Sequence, residues 1–279
     1  MTGKIIKIIS NDFTVLSNDK IYVCKARGKF RNMKLTPLVG DIVKFDEKNN
    51  YILEVEKRKN SLIRPNIANI DQLIILSSVK HPSFDNFLLD KLLVISEYNR
   101  ITPIICLSKV DLLTKEELSN IKEYINYYQK IGYTVVINRD IDTVKEVLNN
   151  KINVFTGQSG AGKSTLLNNL DNTLNLQTNE ISFALGRGKH TTRHTELLKI
   201  GEGWVADTPG FSKISFIDMT KEEIRDNFIE FQEHRDKCKY KDCMHIKEDD
   251  CEIKKLVESN EILRSRYENY LKFINEKEN

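Results

Sequence analysis

Over the first sixty or so residues, apolar and polar positions alternate in short runs. Lys4–Ile9, Phe13–Leu16, Ile21–Ala26, Asp41–Phe45 and Tyr51–Val55 each read as a strand with one apolar face. Turn-forming sets such as Ser17-Asn18-Asp19 and Lys48-Asn49-Asn50 separate them. From Asp71 the period changes. Asp71–Val79 reads as a strand, and Asn86–Tyr98 has helical spacing at Leu88, Leu89, Leu92, Leu93 and Ile95. Strand, helix, strand and short helix follow at Pro103–Leu107, Lys115–Tyr128, Tyr133–Ile137 and Val144–Leu148. Asn153–Thr156 and Trp204–Ala206 are further apolar strands, and Ser164–Leu170 opens a helix. Such alternation predicts a mostly parallel sheet with helices on both faces, hence an α/β core. Beyond residue 215 the pattern is helical and rich in Lys and Glu, as in Lys221–Phe231 and Glu252–Phe273.

The chain of 279 residues exceeds the size at which one core usually divides. Three domains are expected: residues 1–66, 67–214 and 215–279. Five short strands in the first suggest a small barrel of the OB type, a fold that commonly binds nucleic acid. Charge sharpens that picture. The formal net charge is only +3, yet residues 1–66 hold fourteen Lys and Arg against seven Asp and Glu, and the rest is net negative. The run from Lys25 to Lys34 is a basic loop around Phe30, suited to an RNA backbone. A solvated basic face on a structural barrel is the plainer alternative.

Gly157-Gln158-Ser159-Gly160-Ala161-Gly162-Lys163-Ser164 is a complete phosphate-binding loop between a strand and a helix. Its glycines let backbone N–H groups point at phosphate oxygens. Lys163 would reach the β- and γ-phosphates, and the Ser164 hydroxyl would ligate Mg²⁺. Upstream, the strand ending at Leu107 runs into Ser108-Lys109-Val110-Asp111. An Asp there accepts two hydrogen bonds from guanine, whereas adenine would leave the carboxylate unpaired. Ser108 stands where the usual pattern has Asn, which removes an amide that braces the pocket. Downstream, Asp207-Thr208-Pro209-Gly210 follows an apolar strand. Asp207 would hold Mg²⁺ through a water, and the Gly210 N–H would touch the γ-phosphate. Between the two lies Gly186 to His194, flexible, hydroxylated and basic, as a switch segment would be. The order of base-reading segment, phosphate loop, switch and Asp-x-x-Gly is that of a circularly permuted GTPase domain. Two readings compete with it: a nucleic-acid-binding protein whose GTPase site is a switch with negligible turnover, and an ATP-using enzyme with a zinc-stabilised domain.

Cys238, Cys243, His245 and Cys251 fall within fourteen residues. Three thiolates and an imidazole suit one tetrahedral Zn²⁺ with no open position, so a structural site is expected, with His234 as a substitute ligand nearby. Cys24 and Cys106 lie in apolar runs and read as core. The N-terminus has no signal-peptide pattern and no apolar run is long enough to span a bilayer. Reduced cysteines and a zinc site fit a cytoplasmic protein, with no membrane partner and a monomeric state expected.

Taken together, Ser108-Lys-Val-Asp111, Gly157–Thr165, Gly186–Thr192, Asp207–Phe211 and the cysteine spacing resemble the bacterial ribosome small subunit-dependent GTPase A family over essentially the full length. The resemblance implies a circularly permuted P-loop GTPase domain with an N-terminal OB-type barrel and a C-terminal helical zinc-binding module. It also implies late maturation of the small ribosomal subunit through contact with that subunit and its rRNA, with subunit-stimulated GTP hydrolysis coupled to release. Phe211 sits where many GTPases place a water-orienting Gln. The resemblance assigns that role to His190, whose neutral imidazole can accept a hydrogen bond from water, with His194 as second candidate. Thr191 or Thr192 would sense the γ-phosphate. Ile137 to Asp140 lacks the usual guanine-loop sequence, and no residue is assigned there.

Overall fold

The early alternation closes into a ring. In the computed structural model, β1 (Thr2–Ile9) pairs antiparallel with β2 (Asp12–Ser17), and β2 with β3 (Lys20–Ala26). β3 pairs in parallel with β5 (Tyr51–Val55), β5 antiparallel with β4 (Ile42–Asp46), and β4 returns to β1. A five-stranded OB-type barrel results, and ring closure removes the open edges that strands otherwise expose. Ile5, Phe13, Val15, Cys24, Val43, Phe45 and Ile52 fill its interior. The structure describes every residue except 29, 31–34, 63–65, 175, 177–195, 208–215, 217, 278 and 279. Half of the predicted basic loop from Lys25 to Lys34, residue 29 and residues 31–34, therefore lies outside the described residues.

A two-stranded hairpin follows, β6 (Ser61–Leu62) and β7 (Ile67–Ala68). The chain then alternates as β8 (Gln72–Ser78), α1 (Asn86–Tyr98), β9 (Thr102–Ser108), α2 (Lys115–Lys130), β10 (Thr134–Ile137), α3 (Ile141–Leu148), β11 (Ile152–Gly157) and α4 (Lys163–Leu170). Strands β12 (Glu196–Ile200) and β13 (Gly203–Asp207) come next, then α5 (Lys221–Asp226), α6 (Ile229–His234), α7 (Glu252–Glu258) and α8 (Arg264–Glu276). Helix starts follow local chemistry. Thr114 with Glu117 and Thr220 with Glu223 form capping boxes at α2 and α5, while Asp85 caps α1.

The chain forms two compact units. Residues 1–74, 138–156 and 162–211 make the first, with the barrel, β11, β12 and β13. There β11 and β13 run parallel, β12 lies antiparallel to β13, and β12 pairs with barrel strand β1. A Lys7–Glu196 ion pair of 2.7 Å marks that last junction. Strand β12, apolar at Leu197, Leu198 and Ile200, was not among the strands expected from the sequence. Residues 75–137, 157–161 and 212–279 make the second unit, with strand order β10, β9, β8 and parallel pairing of β10 with β9. Every residue of β8 is buried, as in a strand covered on both faces.

Two predicted long helices are each broken. Lys221–Phe231 divides because the Asn227 amide donates to the Glu223 carbonyl at 2.6 Å and ends α5, leaving Phe228 extended and fully buried. Glu252–Phe273 divides at Asn260, whose φ of +61° is left-handed. The N–H groups of Glu261 and Ile262 then both donate to the Leu256 carbonyl, a helix-ending arrangement that turns Ile262 into the core.

The second unit is organised around one buried cation. Arg266 and Asp90 are wholly buried, and Glu230 nearly so. The Arg266 guanidinium donates to Asp90 at 2.7 Å and to both oxygens of Glu230. Tyr128 and Asn269 also donate to Asp90, each at 2.7 Å, and Phe228 presents its ring 4.7 Å from the guanidinium. Arg266→Ala leaves two carboxylates unpaired in the core, and a loss of about 3–5 kcal/mol is expected in urea unfolding. Arg266→Met combined with Asp90→Asn and Glu230→Gln should lose less, because no charge is stranded. Equal losses in the two proteins would contradict this account.

Candidate nucleotide and metal sites

Strand β11 delivers the chain to Gly157, whose φ is +129°. A Cβ there would lie 2.0 Å from the Leu76 carbonyl oxygen, so only glycine fits. Gly162, at φ +94°, starts α4 with no side-chain cap, and its carbonyl accepts from Leu166 at 2.9 Å. Gly162 has no side chain with which to cap α4, and a helix N-terminus of this kind is a setting that favours an anion. Lys163 and Ser164 open that helix half-buried, and Thr165 is exposed. Burial holds the Lys163 ammonium below the ordinary lysine range, which raises the gain from a phosphate partner. Ser159 and Gly160 are exposed at the loop tip, and Ala161 is buried beneath it.

The segment predicted to read the base meets this loop through Ser108. Its hydroxyl is fully buried and donates to the Ala161 carbonyl at 2.7 Å. A hydroxyl thus supplies a brace where an amide was expected to be missing. Lys109 has a left-handed backbone (φ +62°), and its ammonium donates to the Gly160 carbonyl at 2.9 Å and to the His81 carbonyl. Val110, Asp111 and Leu112 form a single 3-10 turn that leaves the Asp111 carboxyl at the surface. Strand β13 ends at Asp207, paired in register with Glu196. His190, Thr191, Thr192, His194, Gly210 and Phe211 lie outside the described residues.

In the C-terminal module, Cys238, Cys243, His245 and Cys251 present ligand atoms within 4.8 Å of one another. His245 Nδ1 lies 3.3 Å from Cys251 Sγ and 3.6 Å from Cys238 Sγ. A tetrahedron with metal–sulfur bonds of about 2.3 Å has edges of roughly 3.8 Å, so the donor set fits a metal ion of that geometry. His234 is not part of the cluster. Burial pushes the Cys243 thiol up to about 12 and, with Arg225 close by, takes His245 down to about 4. Imidazole is therefore in its ligating neutral form, whereas the Cys243 and Cys251 thiols, raised by burial, need a cation to ionise. The loop is shaped from outside: Glu248 accepts the N–H groups of Met244, Ile246 and Lys247, and Tyr267 donates to the His245 carbonyl at 2.6 Å. Sequence reading missed Glu248 and Tyr267, since neither carries a ligand signature. No helix among the described residues is long and apolar enough to cross a membrane.

A glycine-turned phosphate loop that follows the Ser-Lys-Val-Asp segment in the chain, with a barrel before and a Cys₃His module after, defines a circularly permuted GTPase. Residues 55–217 match the family described as RsgA GTPase, and residues 2–52 match the RsgA N-terminal domain. The chain belongs to the RsgA GTPase family. A protein of Oceanobacillus iheyensis, named small ribosomal subunit biogenesis GTPase RsgA 2, is 51% identical over 98% of this chain and 96% of its own. The RsgA of Halalkalibacterium halodurans, with the same biogenesis name, is 45% identical over 98% and 96%. Among solved structures, YloQ, described as a circularly permuted GTPase, superposes with a TM-score of 0.83 at 39% identity, covering 99% of this chain and 94% of that one. YjeQ from Thermotoga maritima gives 0.84 at 35%, covering 99% and 97%.

Proposed function

We propose that this protein hydrolyses GTP to GDP and phosphate as a biogenesis factor of the small ribosomal subunit, binding that subunit and its rRNA and leaving it on hydrolysis. The observation that carries this reading is the joint presence of the phosphate loop, its buried Ser108 tether and relatives named for small-subunit biogenesis across the whole chain. The reading divides the chain into an RNA-binding barrel at residues 1–66, a nucleotide domain at 67–214 and a zinc module at 215–279.

Each residue has a stated task. Backbone N–H groups from Gly157 to Thr165 cradle the phosphates, and Lys163 neutralises their charge. Ser164 and Asp207 hold Mg²⁺, which supplies neutralisation of charge on the phosphate oxygens. Ser108, Lys109, Val110 and Asp111 receive guanine, with Asp111 the discriminating group. Thr191 or Thr192, with the Gly210 N–H, senses the γ-phosphate, and His190 orients the attacking water. One Zn²⁺ on Cys238, Cys243, His245 and Cys251 stabilises the C-terminal module without taking part in hydrolysis. The relatives' names support a cytoplasmic protein that meets the ribosomal subunit, and on this reading it acts as a monomer with no membrane partner.

Three outcomes test these assignments. Asp111→Asn should weaken GTP binding on the order of a hundredfold while admitting xanthosine triphosphate, because the amide mismatches the two guanine donors but fits xanthine. Equilibrium titration with both nucleotides reads this, and unchanged GTP affinity refutes the base-reading role. The purified protein should hold about one zinc per chain by elemental analysis. Full occupancy in a Cys243→Ser, Cys251→Ser double variant would contradict the ligand set. His190→Ala should bind GTP and the small subunit yet lose on the order of 10²–10⁴ in subunit-stimulated rate. Selective loss in His194→Ala instead would move the water-orienting role to that residue.

A further inference from the structure

Gln158 belongs to the phosphate loop by position, but its side chain does not serve the loop alone. Its Oε1 accepts the Ser78 N–H at 2.9 Å, and its Nε2 donates to the Ser83 carbonyl at 2.7 Å. One side-chain amide thus spans the end of β8 and the turn that follows it. That turn, Lys80 to Asp85, is held against the phosphate loop elsewhere as well. Lys109 donates to the His81 carbonyl and to Gly160 of the loop. Pro82 lies 3.7 Å from where a Cβ on Gly160 would stand. The turn then runs directly into α1, whose first turn is capped by the Asp85 carboxyl accepting from Leu88 at 2.9 Å. Five residues further on, Asp90 meets Arg266 of the C-terminal module.

We infer that Gln158 is a positioning residue that ties the phosphate loop to the Lys80–Asp85 turn, so that nucleotide occupancy is felt by α1 and, through Asp90 and Arg266, by the C-terminal module. This rests on reading Gly157–Ser164 as the nucleotide loop. The physical basis is the geometry of the amide. It offers one acceptor and one donor on a rigid plane, and here each meets a backbone group that has the opposite need. Phosphates that order the loop backbone therefore order Ser78 and Ser83 with it. Without the amide, the loop can still bind nucleotide, but the turn is released from it.

Hydrogen exchange by mass spectrometry on the full-length zinc-loaded protein, with and without Mg²⁺ and GDP, tests this. In wild type, GDP should slow exchange across residues 78–88. Gln158→Met, of similar length but with neither hydrogen bond, should bind GDP and lose that slowing. Its release of a fluorescent GDP should be about tenfold faster, the scale of two neutral hydrogen bonds. Gln158→Glu keeps the acceptor for Ser78 and loses the donor to Ser83, so its protection should fall between the two. Should Gln158→Met fold poorly, the comparison of Gln158→Glu with wild type decides alone. A merely structural role would lower the melting temperature and leave the GDP-dependent difference in exchange intact. Equal GDP-dependent protection in variants and wild type would overturn the inference. A wild type that binds no GDP would instead overturn the nucleotide reading beneath it.

Discussion

A guanidinium buried between two carboxylates is an expensive thing to build. Arg266 loses all contact with water, as do Asp90 and nearly all of Glu230, and each ion would destabilise the core if either partner were lost. The arrangement survives because every member is satisfied, with Tyr128 and Asn269 completing the shell of Asp90. Its value is positional. Asp90 sits on α1, which packs against β9, the strand that leads into Lys109, while Arg266 and Glu230 come from the helices around the Cys₃His cluster. A hydrophobic contact alone would allow those helices to slide; a planar guanidinium with fixed donors does not. The aromatic cluster of Phe228, Phe231, Tyr270 and Phe273 then packs around a geometry already set.

The candidate nucleotide site follows the same logic on a smaller scale. Its loop is held by backbone conformations only glycine accepts readily and by side chains that reach in from outside it, Ser108 from the end of β9 and Lys109 from the turn after it. Preorganisation of this kind leaves less ordering to be done when phosphates arrive. It also explains why Ser can stand in place of Asn at residue 108: one buried hydroxyl at hydrogen-bond distance supplies a tether of comparable strength to one arm of an amide.

Short-range chemistry was legible in the sequence. The barrel strands followed from period-two alternation, α1 from its apolar spacing, and the phosphate loop from glycines whose left-handed conformations the structure bears. The four residues of the Cys₃His cluster were legible because they are close in the chain and share the chemistry of metal ligands. What escaped was long-range or subtle. Arg266 and Asp90 are 176 residues apart, and nothing local distinguishes Arg266 from a surface arginine on an amphipathic helix. The breaks at Asn227 and Asn260 escaped because neither Gly nor Pro marks them; tertiary burial of Phe228 and Ile262 decides them. Strand β12 escaped because it is only five residues long and one of its two partners, β1, is remote in sequence.

The central claim, a GTPase whose turnover belongs to the small ribosomal subunit, is tested most directly by one paired assay. Phosphate release from GTP is followed for the purified protein alone and with purified small subunits, with excess ATP as competitor in both arms. The account predicts slow release alone, strong stimulation by small subunits and no inhibition by ATP. Equal rates with and without subunits, or suppression by ATP, would contradict it.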